Sequence, residues 1–316
     1  LVYERGLTGA WWSLVGSVGL VVLAVLFVRR IRASGAYTLP GLVETLYGRS
    51  VSMLVAIIIV IAWTGVVSGQ IVAAARIAGA SGIGDTGVWI SGFTVVLVAY
   101  AVVGGQRAIL RTDALQGVLV MLGLSVVAVA LLSDADTVAA LGAGLPDDVL
   151  RFPVSGAFGW SDLLAMAVMV GSVYVVGPDI YTRVFSCRDE HTARRAVLLA
   201  AALVVPAAAL VSIAGLAARA LAPGIAPEEA LPWLMLNRLS GPVSIIFFVG
   251  LMGALMSSAD STLLGQGVVL AHDVIGRFLP LDDTRAVHTA RVCVALLGLV
   301  SLVLALSLRG VIESLL

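Results

Sequence analysis

Eight stretches of this chain are apolar enough and long enough to cross the hydrocarbon core of a bilayer, and that leaves few architectures open. They run at roughly 9–28, 52–79, 88–105, 113–132, 162–181, 196–221, 243–275 and 290–308. A core ~30 Å thick takes ~20 helical residues. In lipid every backbone N–H and C=O must be satisfied within the segment, so each stretch is expected to be helical. Composition supports this: of 316 residues 60% are hydrophobic and 12% charged, where a soluble domain carries about 25% charged residues. So little charge cannot clothe a water-soluble surface. A soluble enzyme, a disordered tail and a nucleic-acid binder are therefore excluded. Nineteen basic and nineteen acidic residues balance, leaving no surplus for a polyanion. The expected fold is all-α, a polytopic transmembrane helix bundle forming a single transmembrane domain over 1–316, in contact with lipid and not with nucleic acid.

Arginine placement sets the orientation, because basic residues near helix ends are retained in the cytoplasm. Arg29, Arg30, Arg32 and Arg49 lie between the first two spans, and Arg107 and Arg111 between the third and fourth. Arg183, Arg188, Arg194 and Arg195 follow the fifth, and Arg277, Arg285 and Arg291 the seventh, so thirteen of nineteen arginines share one side. The first residue is then expected outside, in the plasma membrane of a multi-pass protein. Of the outer connections, 133–161 carries Gly142, Gly144, Pro146, Pro153 and Gly156 and reads as an irregular loop. The other, 222–242, contains ALPWLMLNRL, too short to span, and reads as a short surface helix. Cys187 and Cys293 show no metal or disulfide spacing and read as small apolar fillers. The start, LVYERGL, has neither the basic start nor the apolar run of a signal peptide. The end, VIESLL, reads as the opening of another hydrophobic stretch, and the sequence is expected to be a fragment cut at both ends.

Polar side chains at membrane depth are costly and need a reason. The richest group is LMGALMSSADSTLLGQG, 251–267, mid-way along a span. At about 100° per residue, Ala254, Ser257, Ser258 and Ser261 share one face, with Asp260 beside it. Single serines often bond back to their own helix, but this density points to hard-cation coordination by hydroxyl and carbonyl oxygens. In GGQRAILRTDALQG, 104–117, Thr112 or Asp113 reads either as a helix cap or as a carboxylate facing the bundle. In GSVYVVGPDIYTR, 171–183, Gly171, Gly177 and Pro178 predict a break, which frees backbone groups beside a cavity or marks a plain kink. Gln70 on the second span reads as inter-helix glue or a solute contact. His191, His272 and His288 show no ligand spacing.

Four segments together resemble the sodium/solute symporter family: YTLPGLVETLYG (37–48), YAVVGGQRAILRTDALQG (100–117), DIYTRVFSCRDEHTARRA (179–196) and ALMSSADSTLLGQGVVLAHDVIGR (254–277). They occur in the family's order across nearly the whole chain. The resemblance implies a leucine-transporter-type core of ten helices in two inverted repeats. The eight spans here would be core helices two to nine, with 1–8 the tail of the first and 311–316 the head of the tenth. It implies a sodium site that includes the Ala254 carbonyl and the Ser257 and Ser258 hydroxyls, completed from the first core helix. It also implies a second site, for sodium or a proton, from Ser257, Asp260, Ser261 and Asp113. Here the sequence departs from the family, with the Asp260 carboxylate standing where a hydroxyl is usual. Trp12, Ser13, Gln70, Ser172 and Tyr174 would contact the solute.

The resemblance thus implies a secondary transporter, not an enzyme, in which the sodium ion drives uptake of a small polar solute. The alternative is a symporter-like sensor module of a signalling protein. No HExxH, GxSxG or paired-acid set argues for catalysis. Asp113 and Asp260 are expected to approach each other with Ser257 and Ser261 alongside, which requires a cation or a proton between them.

Overall fold

The computed structural model describes residues 1–79, 85–143, 145–279 and 282–315, with backbone only for 107 and 308–315. All eight expected spans are helices: α1 Val2–Ala33, α2 Arg49–Gly79, α3 Thr86–Gln106, α4 Ala108–Ser133, α5 Trp160–Ser186, α6 Glu190–Leu221, α7 Gly241–Arg277 and α8 Asp283–Ser307. Beyond α8 the backbone stays helical to Leu315. Gly144, one of the expected loop residues, lies outside the described residues.

Two interruptions follow directly from residue type. Between α3 and α4 the backbone turns at Gly105, with φ 58 and ψ −171, a left-handed conformation that a side chain would strain. In α5 a wide π turn spans Ala167–Gly171, and Ser172–Val176 is ordinary helix. The ladder then stops at Gly177 (φ −64, ψ 123) and restarts at Pro178. The residue before a proline is driven towards extended backbone, and proline itself suits a first helical turn. The break is therefore narrower than the 171–178 read from the sequence.

The connection 133–161 departs from expectation. It is not irregular throughout: Ala135–Ala143 and Asp147–Leu150 are short helices. The Thr137 hydroxyl and backbone N–H donate to Asp134 Oδ2 at 2.5 and 3.1 Å, an N-cap that outweighs the scattered glycines and prolines. The Thr137 hydroxyl chiefly holds the Asp134 carboxyl below the usual carboxylate range. The short helix expected within 222–242 is present at Ala230–Asn237.

The chain forms two compact units. The first comprises Leu1–Arg30, Val118–Gly177 and Cys187–Leu251. Its helices meet through small residues: a methyl on Gly19 would come 2.4 Å from the Gly171 carbonyl oxygen, and one on Gly16 would strike the Tyr174 ring. Such close backbone approach is how helices gain dispersion contacts where lipid supplies no hydrophobic drive. Ser17 donates to the Ala201 carbonyl at 2.8 Å, fastening α1 to α6. Near the chain start, the Tyr3 hydroxyl donates to the Ala222 carbonyl at 2.8 Å and Arg219 donates to the Glu4 carbonyl at 2.8 Å.

The second unit comprises Ile31–Gly117, Pro178–Ser186 and Met252–Leu316. Its core joins α2, α3, α7 and α8 through Val67, Ile71, Ile90, Leu97, Leu263 and Val294. A buried polar thread runs through it: Thr64 donates to Gln266 at 3.0 Å and Ser301 to the Thr64 carbonyl at 3.3 Å. The family-like segment at 37–48 is a short helix, Leu39–Tyr47, capped by the Thr38 hydroxyl, which accepts from the Gly41 N–H. That helix is tied to the end of α7. Thr38 donates to Asp273 Oδ1 at 3.0 Å, and Arg277 reaches Glu44 at 2.5 Å and Ser52 at 2.6 Å.

A candidate ion site in the middle of helix α7

The site lies in the second unit, where the serine-rich stretch of α7 meets the early turns of α4 and the last turns of α5. Ser257 and Ser261 are four residues apart and so lie one above the other. Ser257 donates to Asp113 Oδ1 at 2.6 Å. The Ser261 hydroxyl lies 2.9 Å from the Ser257 carbonyl, 3.3 Å from Asp113 Oδ2 and 3.2 Å from Asp260 Oδ1. One hydroxyl therefore touches both carboxylates. Asp260 is fully buried, and among the described residues its Oδ2 has no hydrogen-bond partner.

Asp113 is not a helix cap. With α4 starting at Ala108, it sits about one and a half turns inside the helix, and Thr112 bonds back to the Ala108 and Ile109 carbonyls. Tyr100 on α3 also hydrogen-bonds Thr112 across the Gly105 turn. The sequence alone left the capping and bundle-facing readings open. What separates them is the helix start, which boundary signals place only to within a few residues.

One side chain in this cluster escaped the sequence reading. Arg183, counted there only as a cytoplasmic-side arginine, donates to Asp113 Oδ2 at 2.7 Å and to Ser261 Oγ at 2.6 Å. The Arg183 side chain is 39% exposed and that of Asp113 14%. The available signal was position: Arg183 falls five residues after Pro178, on the helix that the proline restarts. The C-terminal end of α7 was also missed. There His272 and Thr38 both reach Asp273 Oδ1 at 3.0 Å.

Ala254, Ser257 and Ser258 form one face at the i, i+3, i+4 spacing. Ala254 and Ser257 are partly buried, while Ser258 is exposed mid-way along a helix of membrane-spanning length. Because Ser257 spends its proton on Asp113, its lone pairs remain free to face a cation. A helical carbonyl such as that of Ala254 likewise keeps a second lone pair. Among the described residues no three His, Cys, Asp or Glu converge. The oxygens on offer are thus hydroxyl, carbonyl and a few carboxylate atoms, which suit a hard monovalent ion.

Of the expected solute contacts, Trp12, Ser13, Ser172 and Tyr174 belong to the first unit and Gln70 to the second. Within the first unit Gly16 and Gly19, about one to two turns beyond Trp12 and Ser13 on α1, lie against Gly171 and Tyr174 of α5. Trp12 is half exposed and Ser172 exposed, with the Ser172 hydroxyl bonded to the Met169 carbonyl. Neighbouring Trp11 turns away, stacking on Phe152 and donating to the Pro153 carbonyl at 2.8 Å. Gln70 is partly buried on α2.

The profile of the Sodium:solute symporter family matches residues 1–312. Over 96% of the chain, the sequence is 27% identical to the high-affinity proline transporter PutP of Bacillus subtilis, spanning 67% of that protein. It is 25% identical to a sodium/pantothenate symporter of Escherichia coli, over 94% of the chain and 65% of the relative. The chain thus spans about two thirds of the length of these relatives. The fold resembles that of a Na+-coupled sialic acid symporter solved in a substrate-bound, outward-open state. The TM-score is 0.82 at 13% identity, covering 98% of this chain and 69% of that one. At that identity the likeness speaks for the fold, which is of the leucine-transporter type.

Proposed function

This chain belongs to the sodium:solute symporter family, and from that premise we propose that it couples sodium entry to uptake of a small polar solute. It is a multi-pass membrane protein, and its relatives are transporters rather than enzymes. The observation that carries the reading is the bond from Ser257 to Asp113. It orients one hydroxyl of the Ala254, Ser257, Ser258 face with its lone pairs turned outward, half-way along α7. Sodium is held there by two hydroxyls and a carbonyl. Neutral oxygens bind a monovalent ion firmly enough to load it and weakly enough to release it. Beside this face, Asp113, Asp260 and Ser261 form a second place that requires positive charge. Trp12, Ser13, Ser172 and Tyr174 are the solute-facing side chains of the first unit, and Gln70 is a further contact on the second.

The test is uptake into proteoliposomes under an inward sodium gradient, with proline, pantothenate and sialic acid as the first solutes because relatives and the structural neighbour carry them. Ser257→Ala and Ser258→Ala are expected to raise the sodium concentration for half-maximal uptake. An unchanged sodium dependence in both variants refutes the assignment.

A further inference from the structure

We propose that His272 and Asp273 together bind one proton at the C-terminal end of α7, and that this proton latches the short helix Leu39–Tyr47 onto α7. The inference is independent of the sodium-coupled reading above.

The pair is built on an irregularity of the backbone. Neighbouring residues do not ordinarily face each other on an α-helix. His272 Nδ1 nevertheless stands 3.0 Å from Asp273 Oδ1, where α7 winds as a wide π turn over Leu270–Val274. Such turns recur at functional sites. The Thr38 hydroxyl donates to the same Oδ1 at 3.0 Å and accepts from the Gly41 N–H at 3.0 Å. One carboxylate oxygen thereby carries the cap of the short helix. Among the described residues Asp273 Oδ2 is buried without a hydrogen-bond partner.

Charge accounting selects the proton. The Asp273 side chain is 3% exposed, and a buried carboxylate with no countercharge is costly. The charged groups around the pair are Arg277 on α7, Glu44 on the short helix, Arg49 at the start of α2 and Asp283 at the start of α8. Arg277 is engaged by Glu44 and Ser52, and the Arg49 guanidinium donates to the Arg277 carbonyl. His272, Asp273, Glu44, Arg277 and Asp283 all line one cavity of about 540 Å³. With a neutral imidazole its walls carry three acids, Glu44, Asp273 and Asp283, against the single guanidinium of Arg277. One added proton offsets the charge of the buried acid. On Oδ2 that proton would find no acceptor, so the imidazole holds it, and Nδ1 donates to Oδ1. The His272 side chain is 59% exposed, which lets the proton exchange with solvent.

The latch follows from the shared oxygen. Without the proton, Asp273 is a buried anion with no countercharge, and it regains hydration only by parting from Thr38. The short helix is then held less firmly. Histidine changes charge between about pH 5 and pH 8, so the latch is closed at the acid end of that range and looser at the alkaline end.

The experiment is hydrogen–deuterium exchange of the purified full-length protein in detergent at about pH 6 and about pH 8, corrected for the intrinsic effect of pH on exchange. Sodium and solute are left out. Amides of 42–47 are expected to exchange about tenfold faster at the higher pH, the difference between a hydrogen bond to a charged group and a neutral one. His272→Gln and Asp273→Asn are each expected to abolish that difference, because neither retains an acid that needs the imidazole proton or an imidazole that supplies it. His191→Gln and His288→Gln, both at exposed positions, keep it. Equal protection of the wild type at both pH values, or a difference that survives in His272→Gln, overturns the inference and leaves sodium coupling standing. If His272→Gln fails to fold, Asp273→Asn decides in the same way.

Discussion

Helix α7 carries two polar clusters within the second unit, and they differ in what their acids are tied to. In the middle, Asp113 and Asp260 surround the Ser261 hydroxyl, and a guanidinium from α5 supplies the charge. At the end, Asp273 accepts from Thr38 and His272, while Arg277 clasps Glu44 and Ser52. The end cluster joins α7 to the short helix that follows α1, and its bonds largely lie between a helix and its neighbouring connection. The middle cluster joins three spans and still leaves a hydroxyl and carbonyl face open beside it. The mid-span bonds fasten spans to each other, and on the proposed reading the cost of polarity at that depth is offset by ion binding. Polarity at the helix end holds a connection in place.

The sharpest way to break this contrast is to remove one acid from each cluster. Asp113→Asn is expected to weaken sodium affinity by about 10–100-fold, the usual loss when the group orienting a ligand is removed. Asp273→Asn is expected to leave sodium affinity within about twofold, since it orients no ligand. Radioactive sodium titration of both variants checks this, and equal losses would erase the distinction. A smaller effect is expected from Ser258→Ala, about tenfold in the sodium concentration for half-maximal uptake, as one hydrogen-bonding-strength contact of about 1.4 kcal/mol disappears. Thr38→Val should act on stability instead. Losing a buried cap and its bond to Asp273 costs about 1–2 kcal/mol, read as a lower melting temperature in detergent with unchanged sodium affinity. A lowered affinity there would show the end cluster to be part of the ion path.

The mildest effect belongs to Asp189, the N-cap of α6. The Thr192 backbone N–H above all, and then the Thr192 side chain, hold its carboxyl below the usual carboxylate range. A depressed acid contributes while ionised, so the cap should be intact above the ordinary carboxylate pKa and fade only as pH falls through the lower folded value. Asp189→Ala should therefore speed amide exchange at Thr192 and Ala193 at neutral pH without altering uptake. No change in exchange would mean that the cap contributes nothing to the start of α6.

How much was legible beforehand depended on the range of the physics involved. Hydropathy and backbone satisfaction act within about twenty residues, so the eight spans, the Gly177–Pro178 break and the short helix at Ala230–Asn237 could be read from local order. The helices inside 133–161 were masked because glycine and proline are louder signals than a single capping aspartate. Ser257, Ser261 and Asp260 were legible as polar residues inside an apolar run, whereas Asp113 joined them only through the family resemblance. Which of them meet, and what neutralises them, depended on contacts between residues 70 to 148 positions apart.

The linear order thus determined the eight membrane-length helices of the described residues, because burying apolar surface and pairing every backbone amide in lipid leaves a chain of this composition no other course. Tertiary structure alone decided that Asp113 lies inside α4 rather than at its cap, and that the cation against it is Arg183. The physical reason is reach. A guanidinium on a flexible stem can serve a cytoplasmic loop or a buried acid equally well, and only the restart of α5 at Pro178, packed beside α7, selects between them.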